Sequence, residues 1–202
     1  LSKHAAQQQQ RDAQAPPTRP GAKRPRAGGS TSTAPTSAAF AAAGSASATK
    51  RLLKELRAIR QAAVEGLDVS VPDEANLYRW VCELHSFERG TPLATDLARV
   101  AGQRIVLDVR FPSAYPEAPP YVRVLRPRFV YRTGHVTIGG SICTEMLTSA
   151  GWLSTMSMES VLLSIRANMV SGGARLDRHA RGDYGEAEAR EAFERMKRDH
   201  GW

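Results

Sequence analysis

Arg104-Ile105-Val106-Leu107-Asp108-Val109-Arg110-Phe111, then Pro112-Ser113-Ala114-Tyr115-Pro116-Glu117-Ala118-Pro119-Pro120, then Tyr121-Val122-Arg123-Val124-Leu125, is the stretch that decides the fold. In its first part Ile105, Leu107, Val109 and Phe111 point one way and Arg104, Asp108 and Arg110 the other, the period of a strand. Pro112, Pro116, Pro119 and Pro120 then remove backbone donors, so the chain makes an ordered turn there rather than a ladder. Residues 121–125 read as a further strand. Upstream, residues 77–87 alternate in the same way, with Tyr78, Trp80, Cys82 and Leu84 on one face and Arg79, Glu83 and His85 on the other. Successive strands with short connections predict an antiparallel meander.

Helical spacing flanks these strands. Over 50–65, Leu52, Leu56, Ile59 and Ala63 recur on one stripe with Leu53 beside them; Thr49 offers an N-cap and Gly66 a stop. Lys50, Lys54 and Arg57 occupy the opposite face. Over 155–170, Met158, Leu162, Ile165 and Met169 form a second stripe, ended by Gly172-Gly173. Over 184–199, Tyr184, Ala192, Phe193 and Met196 mark a last helix. Residues 88–101 receive no assignment, and 126–154, punctuated by Pro127 and four glycines, read as irregular. Helix, strands, irregular segment, helices: that order defines an α+β domain with helices packed against one antiparallel sheet.

The 202 residues divide into two compositions. Residues 1–49 carry Gln7–Gln10 and an excess of Pro, Gly, Ser, Thr and Ala, with Leu1 and Phe40 as the only large apolar residues. Such a segment buries too little surface to offset its conformational entropy, so it is expected to be a disordered, basic, low-complexity tail before a folded domain at 50–202. Six basic residues against one acid give the tail +5 of the chain's +8. Lys23-Arg24-Pro25-Arg26 is compatible with a nuclear or nucleic-acid patch, although a solvated basic linker is the favoured reading, since short basic clusters are common. The folded part lacks the basic-aromatic interleaving that stacks bases, which argues against nucleic acid as a partner. No run approaches the ~18 apolar residues of a membrane span. The expectation is a protein of the cytoplasm, the nucleus or both, with reduced thiols and no membrane partner.

Cysteine use is the sharpest chemical signal. Cys82 falls on the apolar face of a strand and reads as core. Cys143 closes Gly134-His135-Val136-Thr137-Ile138-Gly139-Gly140-Ser141-Ile142-Cys143, where glycines let another backbone approach the strongest nucleophile available near neutral pH. The histidines and cysteines lack zinc-ligand spacing, so no metal is expected. There is no phosphate-binding loop and no dinucleotide fingerprint, so no cofactor is expected.

Residues 50–202 resemble the ubiquitin-conjugating enzymes. Lys50-Arg51-Leu52-Leu53-Lys54-Glu55-Leu56 is similar to the first helix of that fold, Phe111 to Pro120 to the turn after its sheet, and Ser141-Ile142-Cys143 to its active-site segment. Trp152 and Ser160-Val161-Leu162-Leu163-Ser164-Ile165 resemble the tryptophan and helix that follow. Asn76-Leu77-Tyr78-Arg79-Trp80, Gly140 to Thr148, Gly173-Ala174-Arg175 and the closing Gly201-Trp202 are most similar to the divergent Q family of these enzymes. The resemblance implies that an activating enzyme, which itself uses ATP, passes ubiquitin as a thioester onto Cys143. A substrate amine or a ligase thiol then receives it. Lys50, Arg51 and Lys54 match the region that meets the activating enzyme.

The match has departures. Most of the family has an Asn, credited with organising the oxyanion, eight residues before the cysteine; His135 stands there, either as an oxyanion donor or as a loop-organising residue. Glu117 stands where an aromatic often docks a RING-type ligase, and Ser154 replaces a proline of the same surface. A carboxylate in an apolar pocket carries a desolvation cost, so altered ligase coupling is expected. The alternative reading is a catalytically inactive module of the same fold that binds ubiquitin or a partner protein.

Overall fold

The structure is a computed structural model and describes residues 44–200, with backbone alone at 196, 197, 199 and 200. The tail expectation for residues 1–43 and the Gly201-Trp202 motif lie outside the described residues, as does the side chain of Met196. The elements are α1 (Ala46–Ala62), β1 (Leu67–Ser70), β2 (Arg79–Leu84), α2 (Pro92–Leu97), β3 (Ile105–Arg110), β4 (Tyr121–Arg126), α3 (Met158–Ser171) and α4 (Glu186–His200), with a 3-10 turn at Glu145–Leu147.

Helix α1 starts four residues earlier than its spacing suggests. Ser45, not Thr49, is the N-cap: its backbone is extended and its side chain accepts from the Ala48 amide at 3.0 Å. Thr49 sits one turn in and donates its hydroxyl to the Ser45 carbonyl. The helix also ends early. Ala63 takes a left-handed turn (φ 45) and donates its N–H to the Ile59 carbonyl, so Gly66 is not the stop and Ala63 leaves the stripe. The buried stripe is Ala48, Leu52, Leu56 and Ile59, with Leu53 turned outward.

The sheet runs β1-β2-β3-β4, all antiparallel, with Trp80 opposite Val109, Cys82 opposite Leu107 and Leu84 opposite Ile105. These side chains, with Val122 and Val124 from β4, share one core with the α1 stripe and with Met158, Leu162, Ile165 and Met169 of α3. Two elements go beyond the sequence reading. β1 pairs Leu67 with Leu84 at the far edge. α2 is a short helix capped by Thr91 with Pro92 at its first position.

The second face of the sheet is covered at β3 and β4, while Asp68, Glu83 and Arg104 keep its β1–β2 end open to solvent. Asp108 has no exposure, and its carboxylate accepts from Arg79 at 2.7 Å, Arg110 at 3.0 Å and Arg123 at 3.1 Å. A buried carboxylate needs such partners, because an uncompensated charge away from water is costly. Helix α4 covers this part of the face. Arg110 donates two hydrogen bonds to Glu186, and Tyr121 meets Phe193 edge-on with ring centroids 5.1 Å apart. Among the described residues no helix is long and apolar enough to cross a membrane, and no group of His, Cys, Asp or Glu could hold a metal ion.

Candidate active site

The segment expected to be irregular contains a short hairpin. Val136 pairs with Ile142, the Thr137 amide donates to the Ser141 carbonyl, and the Gly140 amide closes the turn on the Thr137 carbonyl, both at 2.9 Å. The hairpin docks on the outer edge of β4: Ile142 N–H donates to Val122 O, Val124 N–H to Gly140 O, and Arg123 bridges Ser141. An open sheet edge presents unpaired backbone groups, and these bonds satisfy them while fixing the register of the hairpin. Cys143 follows at its end, its N–H donating to the His135 carbonyl at 2.8 Å.

Helix α4 holds the hairpin from the other side. Ser141, fully buried, donates its hydroxyl to the Ala189 carbonyl at 3.0 Å and meets the Tyr121 hydroxyl at 2.7 Å. Gly140 lies flat on the Tyr184 ring at φ +90, where a Cβ would stand 2.7 Å from the ring. Only glycine meets both demands, the left-handed backbone and the close approach. Arg128 donates two 2.7 Å bonds to Glu188 and lies over the Tyr184 ring, pinning the start of α4.

Cys143 and His135 share an open groove of about 650 Å³, with Tyr131, Arg132 and Ile138 on one side and Ala192 and Arg195 of α4 on the other. The thiol is half-buried, and burial pushes its pKa above the ordinary thiol value. His135 is exposed and holds a left-handed backbone (φ 58). Its ring packs on Gly172 at the end of α3, where a Cβ would come within 2.8 Å of Cδ2. A left-handed non-glycine residue costs about 1–2 kcal/mol, which the bonds around it must hold in place. Cys82, by contrast, is wholly buried and its thiol is pushed far up by burial. Asp177, the nearest acid in sequence after α3, accepts from the His179 and Ala180 amides in a local turn.

The other candidate residues lie away from the groove. Lys50 and Lys54 are exposed on α1. Arg51 is committed within the fold: it pairs with Glu55 at 2.6 Å and donates to the Met156 carbonyl at 2.9 Å. Glu55 is buried, and its second oxygen accepts from the Met158 amide at 2.9 Å, at the first residue of α3. A carboxylate at a helix N-terminus satisfies an orphan donor and complements the dipole. Glu117 is exposed and Ser154 partly so, on two loops tied by the Trp152 indole, which donates to the Pro116 carbonyl at 2.7 Å. Leu153, next to Ser154 in the chain, is 60% exposed.

Sequence reasoning gave no role to several residues that frame the site. Ser141, Tyr184 and Arg128 act through partners 48 to 60 positions away in the chain, and Glu55, away from the groove, joins α1 to α3 across 103 positions. Asp96 is another: nearly buried on α2, it accepts from Arg175, Arg178 and the Leu176 amide, and the Arg175 hydrogen bond leads in holding its carboxyl well below the usual range.

Fold and site together define an α+β scaffold that presents one accessible thiol on a hairpin beside its sheet. The chain belongs to the ubiquitin-conjugating enzyme family: the family model described as ubiquitin-conjugating enzyme matches residues 51–196. It is 33% identical over 156 residues to the human ubiquitin-conjugating enzyme Q-like protein 1, covering 74% of this chain and 95% of that one. It is 36% identical over 172 residues to human ubiquitin-conjugating enzyme E2 Q1, covering 80% and 40% respectively. A Q-like ubiquitin-conjugating enzyme of Drosophila melanogaster is 33% identical over 161 residues, covering 76% of this chain and 52% of the relative, so the chain spans about half the length of that protein. A solved structure of human ubiquitin-conjugating enzyme E2 G1 aligns with a TM-score of 0.49 at 22% identity, over 59% of this chain and 91% of that one. Ubiquitin, an activating enzyme and a ligase are the partners that membership of this family implies.

Proposed function

We propose that this chain is an active ubiquitin-conjugating enzyme and that Cys143 carries the thioester. The observation that supports it most is the half-exposed thiol on a hairpin braced by β4 on one side and α4 on the other, open to a groove. Cys143 sulfur attacks the thioester carbonyl on the activating enzyme. A new S–C bond forms, the old one breaks, and the proton lost by Cys143 goes to the departing thiolate. In discharge an acceptor nitrogen attacks the same carbonyl, an N–C bond forms, and Cys143 leaves and recovers a proton while the nitrogen loses one. Each step passes through a tetrahedral oxyanion, which preorganised donors stabilise. His135, which lines the groove with Cys143, is our candidate for such a donor.

Lys50 and Lys54 are the exposed cations that would meet the activating enzyme, with Arg51 bracing the helix that carries them. Glu117 and Ser154 sit on the tied loops proposed to face a ligase, where Glu117 weakens docking to an apolar RING pocket. If so, Glu117→Phe speeds ligase-stimulated discharge; an unchanged rate would show that the position is not at that contact. The central test is a thioester assay with activating enzyme, Mg-ATP and ubiquitin, run on a non-reducing gel. A reductant-sensitive band heavier by about 8–9 kDa that Cys143→Ala lacks is expected. A chain that stays uncharged while a known conjugating enzyme charges in parallel is either the inactive module or the carrier of a different ubiquitin-like modifier.

A further inference from the structure

The groove at Cys143 is electrostatically one-sided. Two guanidiniums bracket it, Arg132 from the loop before the hairpin and Arg195 from α4, and the residues that line it include no carboxylate among those described. Arg132 lies over the Tyr131 ring, 5.2 Å from its centroid, and makes no ion pair among the described residues. Arg195 pairs at 2.7 Å with Glu191 one turn back, but both are on the surface, and Glu191 is 73% exposed. A solvent-exposed pair of that kind is weak and exchanges readily for a better-placed carboxylate. The remaining titratable side chains facing the groove are Tyr131, His135 and Cys143, none of them a carboxylate, and the sulfur of Cys143 bears no charge once it carries the thioester.

Apolar surface lies beside the charges. Tyr131 is 58% exposed and Ile138 57%, and both line the groove. Exposed large apolar side chains next to a reactive group mark a contact surface more often than isolated ones do. The chain's own residues 1–49 do not suit this surface, because they carry +5.

We infer that the acceptor taken beside Cys143 is an acidic protein segment: carboxylates near the accepting amine pair with Arg132 and Arg195 while an apolar neighbour rests on Ile138 and Tyr131. The inference rests on the transferase reading above and names the substrate class of the same site. The geometry gives it a reason. An acceptor lysine brings a cation toward two guanidiniums, and flanking carboxylates turn that repulsion into attraction while drawing the segment in.

The test is a single-turnover discharge. The full chain is charged with ubiquitin, the activating enzyme is quenched with EDTA, and the thioester is chased with one of two peptides. Both hold a single lysine and a leucine; one has three flanking Glu, the other three Gln. The expected result is discharge to the Glu peptide about three- to tenfold faster at low salt, with the advantage shrinking as salt screens the groove. Arg132→Glu with Arg195→Glu removes or reverses the preference, each rate being scaled to the charged fraction. Equal rates for the two peptides with the unaltered chain overturn the acceptor preference alone, as does an advantage that survives the double charge reversal. A chain that never charges overturns the transferase reading as well, so the two failures are distinct.

Discussion

The two cysteines occupy regions that treat one functional group in opposite ways. Cys82 sits mid-strand on β2, opposite Leu107, with no exposure. Cys143 sits where a hairpin leaves the sheet, half-exposed in a groove. Burial raises the thiol pKa in both places. At Cys143 burial governs, and the Arg132 and Arg195 guanidiniums that line its groove do not make the thiol acidic. What sets the proposed nucleophile apart from the core thiol is therefore access and a smaller burial penalty, not an activated thiolate.

The hardest way to break that contrast is to remove Cys143. Cys143→Ala abolishes the thioester, whereas Cys143→Ser yields an oxyester that survives reductant; a reductant-sensitive adduct persisting in the alanine variant, read on a non-reducing gel, would falsify the assignment. Acidity is tested next. Because the Cys143 thiol is raised, the thiolate is the minor form at neutral pH, and its fraction grows about tenfold per pH unit until the elevated pKa is reached. Iodoacetamide labelling of Cys143 should keep climbing from pH 7 to pH 8.5, with Cys82 silent in the native protein; a plateau near pH 7 means an activated thiolate.

Smaller effects sharpen the comparison. Glu55→Ala breaks the Arg51 pair and frees the Met158 amide in a buried place, so a loss of about 2–3 kcal/mol in urea unfolding is expected. Cys82→Ala should cost about 1–2 kcal/mol through the cavity it leaves, and charging at Cys143 should continue. The smallest effect is Glu186→Gln. The Arg110 hydrogen bond leads in lowering the Glu186 pKa to about 2. A depressed carboxylate stabilises the fold above its unfolded pKa, and that contribution is lost as pH falls toward 2. The variant should therefore flatten the acid limb of stability between about pH 4 and pH 2, showing at pH 7 a small loss, small because the group is surface-exposed, that vanishes toward pH 2.

How much of this was legible follows from where each signal lies. β2, β3 and β4 and the stripes of α1 and α3 are written in local periodicity, so the α+β meander could be read directly. β1 is only four residues long, and α2 only six, although Thr91-Pro92 is a legible start signal for it. The polar face of β3 misled, because alternation shows that Asp108 points away from the core but not that α4 will cover it. Cys143 stood out through its glycines. The residues that frame it did not, since Ser141 finds Ala189 and Arg128 finds Glu188 only after the chain has closed on itself.

The grip of α4 on the hairpin has a consequence for how this protein can be shortened, in evolution or by a protease. A chain cut between Asp177 and Asp183 keeps Cys143 and every strand, yet it loses the carbonyl that receives Ser141, the ring under Gly140 and one bank of the groove. The last helix is thus part of the mount that holds Cys143, and changes on its face toward the turn disturb that mount more than changes on the opposite face.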